Sequence, residues 1–537
     1  MVLVFVLVVV AIMALAAFTF CELMLTERKA SLLLGNRAQA RQSAHSGIEM
    51  VAAVLSQDQE TIDGAGGLLD NTNLFRGVVV VEDSSNPGRV TIVSTKLDET
   101  GVPYFGLENE SGRINLNTLL EIGDEDEARE VLMALPNMTI EAADSILDWI
   151  DEDDTPREYG AEIDFYSQLQ PAYAPKNGPL DTIEQLLGVQ GVTPELLFGA
   201  DSNYNGLVDP GELQTGEDSM AEFTFATEGS PAGGIARWLT LYSVEKNLQA
   251  DGQPRINLNE DDLQQLHEKL KEVLESDWAT FIVAYRQNGP YDGDGRTEEI
   301  RGRELNLEDS EEAEESQPQR VGEEEERSEE GGDSDQRGGP PQQENASAGK
   351  KTELENILDL IGAKVRVTFK GDRQPTVIDS PFSKVPGEMS QYMPKLMDAA
   401  TLDDSATISG RINVNLADPI VLAAIPGISE STVERIIAER ELNVLDADES
   451  RRHATWLLSE GIVDLEEMKK LMPYVTAGGS VYRFQSIGYF DRGGPTARFE
   501  VVLDASEDTT KTVLLRDLGS RGPGYPLELL GTDEQAE

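Results

Sequence analysis

The stretch MVLVFVLVVVAIMALAAFTFC, Met1 to Cys21, contains no charged residue and neither proline nor glycine. About 20 apolar residues in a helix rising 1.5 Å each span the roughly 30 Å hydrocarbon core of a bilayer. Charge resumes at Glu22, Glu27, Arg28 and Lys29, yet Ala, Leu, Arg and Gln keep the composition helical to about Leu55. The pattern predicts one continuous helix, half in lipid and half outside it. A cleaved secretory signal needs a basic leading region and a small-x-small cleavage site; here no basic leading region occurs, the apolar run is long and the helix continues past it. Phe20 and Thr19 are a poor approach to a lipidated Cys21. The reading is a retained single span. Arg28, Lys29, Arg37 and Arg41 follow it, which by the positive-inside rule draws that side toward the cytoplasm. A basic leader upstream of Met1 reverses that orientation.

Beyond the span, 537 residues suggest three or four domains. Lys and Arg number 44 against 99 Asp and Glu, a net charge of −55, which sets the chain against a phosphate backbone and excludes nucleic acid as the default partner. Cys21 is the single cysteine, so no intrachain disulfide forms, and His45, His267 and His453 leave little for imidazole chemistry. No Walker motif, GxSxG, HExxH or Cys–His pair is present, so the chain is not expected to be an enzyme.

Short strands are expected at 77–81, 90–95 and 104–107, then a helical pattern broken by Pro and Gly turns from 113 to about 286. From Glu308 to Lys351 there are 15 acids and 5 bases with almost no apolar residue, so 308–349 reads as a disordered linker. Val365–Phe369 reads as a strand and 411–475 as helical. Residues 481–490, 497–504 and 511–516 alternate apolar and polar around Gly493-Gly494-Pro495, the signature of an antiparallel meander. An internal repeat is visible: Arg-Ile-Asn-Leu-Asn at 113–117 and 255–259, and Arg-Ile-Asn-Val-Asn at 411–415. The third copy leads into Leu422-Ala-Ala-Ile-Pro-Gly-Ile-Ser429 with Val433, Ile436 and Ile437, a helix-hairpin-helix pattern. Leu135-Pro-Asn-Met138 with Ala142, Ala143 and Ile146 matches it, as does Leu186-Leu-Gly-Val-Gln-Gly-Val-Thr193. Such hairpins bind DNA in some proteins, but Glu430, Glu434, Glu439 and Asp144, Asp148, Asp151 surround these, which favours packing.

Asp201-Ser-Asn203-Tyr-Asn205-Gly206-Leu207-Val208-Asp209-Pro-Gly-Glu212 fits the twelve-residue EF-hand loop. Asp201, Asn203, Asn205, Asp209 and Glu212 supply side-chain oxygens at positions 1, 3, 5, 9 and 12, Leu207 a backbone carbonyl, and Gly206 the sharp turn. Ca²⁺ is the expected ion, as a structural clamp. A second acidic cluster, Asp148, Asp151, Asp153, Asp154, Glu158, Glu162 and Asp164, is a candidate for another cation, with Asp151, Asp153, Asp154, Glu158 and Glu162 as its ligand set; solvent relieves such repulsion equally well.

Several stretches together resemble the general secretion pathway protein K family, the large minor pseudopilins of bacterial type II secretion. They are Asp148-Trp-Ile-Asp-Glu-Asp-Asp154, Gly160-Ala-Glu162, Asn177-Gly-Pro179, Glu184-Gln-Leu-Leu-Gly-Val-Gln-Gly-Val-Thr193 and Gly410-Arg-Ile-Asn-Val-Asn415 with Ile425-Pro-Gly-Ile428. The resemblance implies an α+β fold: an N-terminal membrane-spanning helix, a pilin-like antiparallel sheet, and an inserted helical domain with helix-hairpin-helix (SAM-like) repeats that binds calcium. It divides the chain into a span (1–25), the helix beyond it (26–56), pilin-like strands (57–112), the inserted domain (113–286), the acidic linker (300–351), a strand and connector (352–400), a helix-hairpin-helix segment (401–475) and a C-terminal sheet (476–520). It implies a single-pass protein of the bacterial inner membrane, its bulk periplasmic, at the pseudopilus tip with other minor pseudopilins and the major pseudopilin. The family's basic leader and prepilin-peptidase site do not appear, so Met1 is expected at or near the mature start, with a true start upstream. Pseudopilins ordinarily carry a Glu near mature position 5; here that position is Phe5 and no acid precedes Glu22. Two other function classes fit parts of the chain: a membrane-anchored helix-hairpin-helix DNA receptor, and a calcium-stabilised extracytoplasmic scaffold.

Overall fold

The computed structural model describes residues 2–83, 86–97, 101–201, 203–208, 212, 224–225, 234–293, 296–300, 302–307, 351–440 and 449–532. The linker expected at 308–349 lies outside them. The chain divides into two compact units, one of residues 1–248 with 405–537 and one of residues 249–404.

In the first unit a single helix, α1 (Val2–Leu55), runs through the whole apolar N-terminus as the composition predicts. It is long and apolar enough to cross a membrane. Side chains from Val2 to Gly35 are exposed, whereas Ala40, Ser43, Ala44, Gly47, Ile48 and Val51 are buried. These sit three and four apart, so they form one face. That face covers an antiparallel sheet of strands β1 (Val78–Val81), β2 (Gly88–Val93), β3 (Glu108–Asn109), β4 (Val481–Phe490), β5 (Ala497–Asp504) and β6 (Lys511–Asp517). Their order is β1-β2-β4-β5-β6, with β3 also paired to β4. The three C-terminal strands follow the predicted meander, and β4 and β5 register from Val481↔Asp504 to Gly488↔Ala497. Helix and sheet approach closely because the contact residues are small. A Cβ on Gly488 would lie 2.0 Å from the Ala40 carbonyl oxygen. Ile92, Phe484, Phe499 and Val501 fill the space on that side of the sheet, and Ile487 and Tyr489 pack on the other. Residues 104–107 do not form the expected strand. Their backbone bonds go to loop residues instead, Leu107 N–H to Leu68 and the Phe105 carbonyl to Asn71 N–H.

Glu110 and Arg113 lead from β3 into the insertion. Arg483 of β4 binds Glu110 at 2.7 Å and Glu500 of β5 at 2.6 Å. Arg516 of β6 binds Glu500 at 3.1 Å and Glu184 of the insertion at 2.7 Å. Arg113 pairs with Glu108.

The three Arg-Ile-Asn-x-Asn copies prove to be three instances of one closure. Ile114–Asn115 pairs in parallel with Leu239–Thr240, Ile256–Asn257 with Ala400–Thr401, and Ile412–Asn413 with Val475–Thr476. The second Asn of each copy clasps a distant point of the chain. Asn117 accepts from Leu180 N–H at 2.7 Å and donates to its carbonyl at 3.0 Å. Asn259 does the same with Leu354, at 2.9 and 3.0 Å. Asn415 donates to the Arg451 carbonyl and accepts from Trp456 Nε1, both at 3.0 Å. An amide supplies donor and acceptor together, which no carboxylate does. Residues 113–240, 255–401 and 411–476 are thus three versions of one module. Leu180-Asp-Thr-Ile-Glu-Gln-Leu-Leu-Gly188 and Leu354-Glu-Asn-Ile-Leu-Asp-Leu-Ile-Gly362 even share a phrase, each forming a short 3-10 helix.

Each module carries two short helices before its clasp: α2 (Glu125–Met133) and α3 (Ile140–Ile150), α4 (Leu263–Val273) and α5 (Ser276–Asn288), α6 (Pro419–Ala423) and α7 (Glu430–Glu439). The α2–α3 and α6–α7 turns pass through left-handed residues, Asn137 (φ 60°) and Gly427 (φ 76°). The middle module belongs to the second compact unit and has its own aromatic core of Trp278, Phe281, Phe382 and Tyr392. In the first unit, Val244–Lys246 and Thr407–Ser409 form an antiparallel ladder that brings the two points of departure together.

Asn117→Ala and Asn415→Ala each strip a partly buried backbone or indole group of its partner. Each is expected to cost about 1–3 kcal/mol, read as a lowered Tm in detergent. A loss below about 0.5 kcal/mol for both contradicts the clasp.

Candidate metal centres

Helix α3 starts at Thr139, whose side chain accepts the Ala142 N–H, and ends at Asp151. Asp144, Asp148 and Asp151 follow at spacings of four and three, so they share a face. Asp144 is held by Arg129 at 2.5 Å. Arg157 reaches back to Asp148 at 2.7 Å and Asp151 at 2.5 Å. Glu162 comes from the loop that follows. One oxygen each of Asp148, Asp151 and Glu162 lie within 4.8 Å of one another. Both Glu162 oxygens and Asp151 Oδ1 are buried without a hydrogen-bond partner. Gly160 permits the approach, since a Cβ there would fall 1.8 Å from Asp148 Oδ2. Burial pushes the Glu162 carboxyl up to about 7, and the Asp148 and Asp151 charges push the same way. Burial also raises Asp148 and Asp151, against the pull of Arg157. Three carboxylates facing one guanidinium leave an excess of negative charge in a buried pocket, the arrangement a divalent cation relieves.

Of the residues singled out in the sequence, the fold brings Asp151 and Glu162 together and adds Asp148, which the ligand set had left out. Its spacing of three from Asp151 on a helix was the available signal. Asp153, Asp154 and Glu158 are exposed. Asp153 accepts from Thr155 N–H at 2.6 Å, and Asp154 from the Asn177 amide at 3.0 Å. The sister modules isolate what is particular to this one. Nine residues after the helix N-cap stands Asp148 in α3, Ala284 in α5 and Ala438 in α7. The module folds without a carboxylate there.

The EF-hand-like loop is described in part, and Asp209 lies outside the described residues. Asp201 accepts from Asn205 N–H at 3.2 Å and Gly206 N–H at 2.9 Å, and Glu212 accepts from Asn203 N–H at 3.1 Å. Asp201, Asn203, Asn205 and Glu212 therefore belong to one turn. Gly206 has φ 78° and packs against the Thr95 carbonyl, where a Cβ would sit at 2.4 Å. Leu207–Val208 pairs with Thr224–Phe225. Burial, then the Glu212 charge, lifts Asp201 to about 6. The turn seats on the main sheet. Arg498 donates to the Asn203 carbonyl and Gln485 to that of Tyr204, while Tyr525 donates to the Asn205 carbonyl at 2.9 Å.

Residues 112–198 match the family model "Type II secretion system (T2SS), protein K". The resemblance read from the sequence is borne out over that segment, which holds the first repeat copy, α2, α3 and the Asp148–Asp151–Glu162 group, and ends before the EF-hand-like loop. Comparison with curated proteins finds no match. Among solved structures, one chain of the GspK-GspI-GspJ complex from enterotoxigenic Escherichia coli is similar at 10% identity. The alignment covers 92% of this chain and 98% of that one, with a TM-score of 0.35.

Glu162 carries a folded-state value above its ordinary 4.5. In chelator, the unfolded chain releases this proton first, so the folded state loses stability as pH rises from about 4.5 and the loss is complete above about 7. The expected result is a Tm that falls between pH 5 and 8, and a flatter profile for Glu162→Gln; identical profiles contradict the buried placement.

Proposed function

We propose that the chain is a minor pseudopilin of a type II protein secretion system, one that caps the pseudopilus tip, helps start its assembly and holds Ca²⁺ in its inserted domain. The protein K match at 112–198 carries this reading, because that segment lies between β3 and β4 of a sheet packed on a long N-terminal helix. The apolar, exposed half of α1 is the anchor, inserted once through the inner membrane with the remaining chain periplasmic. Its partners are the other minor pseudopilins and the major pseudopilin, and prepilin peptidase processes it if a leader precedes Met1. The α2–α3 and α6–α7 pairs are read as helix-hairpin-helix units that pack protein; a net charge of −55 opposes DNA. The role is structural and not catalytic.

The donors suit calcium. Asp148, Asp151 and Glu162 would hold one ion, and Asp201, Asn203, Asn205, Leu207, Asp209 and Glu212 a second, all through hard oxygens. The partnerless Glu162 oxygens are the strongest sign of fit. A bound ion would neutralise these carboxylates and fix the inserted domain.

A site filled to a hundred times its Kd adds about 2.7 kcal/mol. Melts in Ca²⁺ and in chelator should therefore separate, by less in Glu162→Gln and in Glu212→Gln; coincident curves remove calcium from the proposal. For the tip, labelled protein should mark one end of each filament, and deletion should reduce filament initiation and secretion. Regular labelling along the shaft refutes the placement.

A further inference from the structure

Outside α1, twelve large apolar or aromatic side chains are well exposed among the described residues, and five of them fall between 159 and 187: Tyr159, Ile163, Phe165, Tyr173 and Leu187. Three of the five belong to one cluster. Tyr166 is fully buried at its centre, with the Phe165 and Trp149 rings edge-on to it at 5.2 Å and the Tyr173 ring at 5.3 Å. The Tyr173 hydroxyl donates to the Gly188 carbonyl at 2.8 Å, which sets its ring beside Leu187. Phe165, Tyr173 and Leu187 still leave 39%, 40% and 42% of their surface in water. Single exposed apolar residues are ordinary, whereas a contiguous group on a packed base marks an interaction surface.

The surroundings of this group are acidic. Residues 139–198 hold 13 acids and 2 bases. Arg157 is taken up by Asp148 and Asp151, and Lys176 by Asp181. Glu141 and Asp164 are exposed at the cluster itself. Asp164 precedes Phe165 in the chain. Glu141 accepts from the Gln190 amide at 2.5 Å, and the Gln190 backbone N–H bonds the Tyr166 hydroxyl at 3.2 Å. Elsewhere, rings at the surface carry an arginine of the chain: Arg521 lies 4.4 Å from the Tyr204 ring centre and Arg366 6.0 Å from that of Tyr291. Among the described residues no arginine lies over Phe165 or Tyr173. An aromatic face beside carboxylates attracts a guanidinium through the ring quadrupole and the opposite charge together. A net charge of −55 repels a second copy, an anionic lipid surface and nucleic acid alike, and draws in a cationic polypeptide.

We propose that Phe165, Tyr173 and Leu187 form a docking surface for a basic, apolar segment of another protein. An arginine of that segment lies over the Phe165 and Tyr173 rings, Glu141 and Asp164 balance its charge, and an apolar neighbour covers Leu187. Salt screens the charge attraction but not the apolar burial, so the affinity falls with ionic strength without vanishing.

The probe is a labelled peptide of four Gly-Arg-Leu repeats bearing a photoreactive benzophenone, offered to the full chain in phosphatidylcholine nanodiscs. Cross-links should fall between Glu141 and Gln190. Phe165→Ala with Tyr173→Ala should weaken binding roughly tenfold, the effect of two lost cation–π contacts. Phe165→Ala alone, whose side chain makes no hydrogen bond, should weaken it about threefold and serves if the double variant does not fold. Val273→Ala, which removes an equally exposed apolar side chain elsewhere, should leave binding unchanged, and a peptide of Gly-Glu-Leu repeats should not bind. Cross-links spread over the acidic stretches of the chain, or equal affinity of the wild type and Phe165→Ala, overturn the proposal. Self-association of the wild type that Phe165→Ala abolishes also overturns it, because the occupant is then a second copy.

Discussion

The chain of charges Glu110–Arg483–Glu500–Arg516–Glu184 is the constraint on which the first unit turns. Glu110 is fully buried, and burial pushes its carboxyl up, yet Arg483 and Arg113 outweigh that and pull it to about 2. A buried charge is tolerable only when paired and hydrogen-bonded, and removing one partner typically costs 3–5 kcal/mol. Glu110 therefore has one acceptable position, against β4, and Arg113 three residues later is fixed with it. The insertion starts from that point, so its first module inherits its orientation from the sheet. The third copy repeats the device: Arg411 pairs with Glu245 at 2.5 Å, and Glu245 accepts from Thr476 at 2.5 Å as Glu110 accepts from Thr240. The Arg and Thr that bracket these modules meet at one carboxylate, which makes each closure both polar and specific.

One scaffold thus recurs three times with different side chains. Its shared parts are the Ile-Asn ladder, the Asn clasp and a second helix with an apolar face, while one position of that helix differs between the copies. Asp148, Ala284 and Ala438 occupy one position with opposite consequences for charge. A buried carboxylate trio costs desolvation energy that alanine does not, so its presence, among the described residues, in one module needs a reason outside folding.

How much of this was legible in the residues follows from the range of each interaction. The apolar run to Cys21 and the alternation through 481–516 are local signals with one dominant period, and both elements formed where expected. Residues 104–107 looked like a strand because Tyr104 and Phe105 favour one, but their backbone groups found loop partners. The repeats were visible as words, while their meaning was not. A two-residue ladder carries no periodicity, and Asn117 meets Leu180 only in three dimensions. The shared phrase from Leu180 and Leu354 becomes recognisable once the clasps align the modules. The acidic cluster was found as a cluster; which three of its members converge depended on Arg157 and Gly160, residues with no metal-binding character of their own.

The ladder of Val244–Lys246 with Thr407–Ser409 has a consequence for the segment between its strands. Asn247 N–H bonds the Ala406 carbonyl at 3.0 Å and its side chain the Ser405 carbonyl at 2.9 Å, so the two ends flanking residues 249–404 already stand as the stem of a hairpin. A stem of this kind is closed equally well by a two-residue turn or by a whole module with its own core. The length of the chain between Leu248 and Ser405 is therefore decoupled from the stability of what surrounds it. Residues 249–404 thus occupy the place of an insertion between two paired strands.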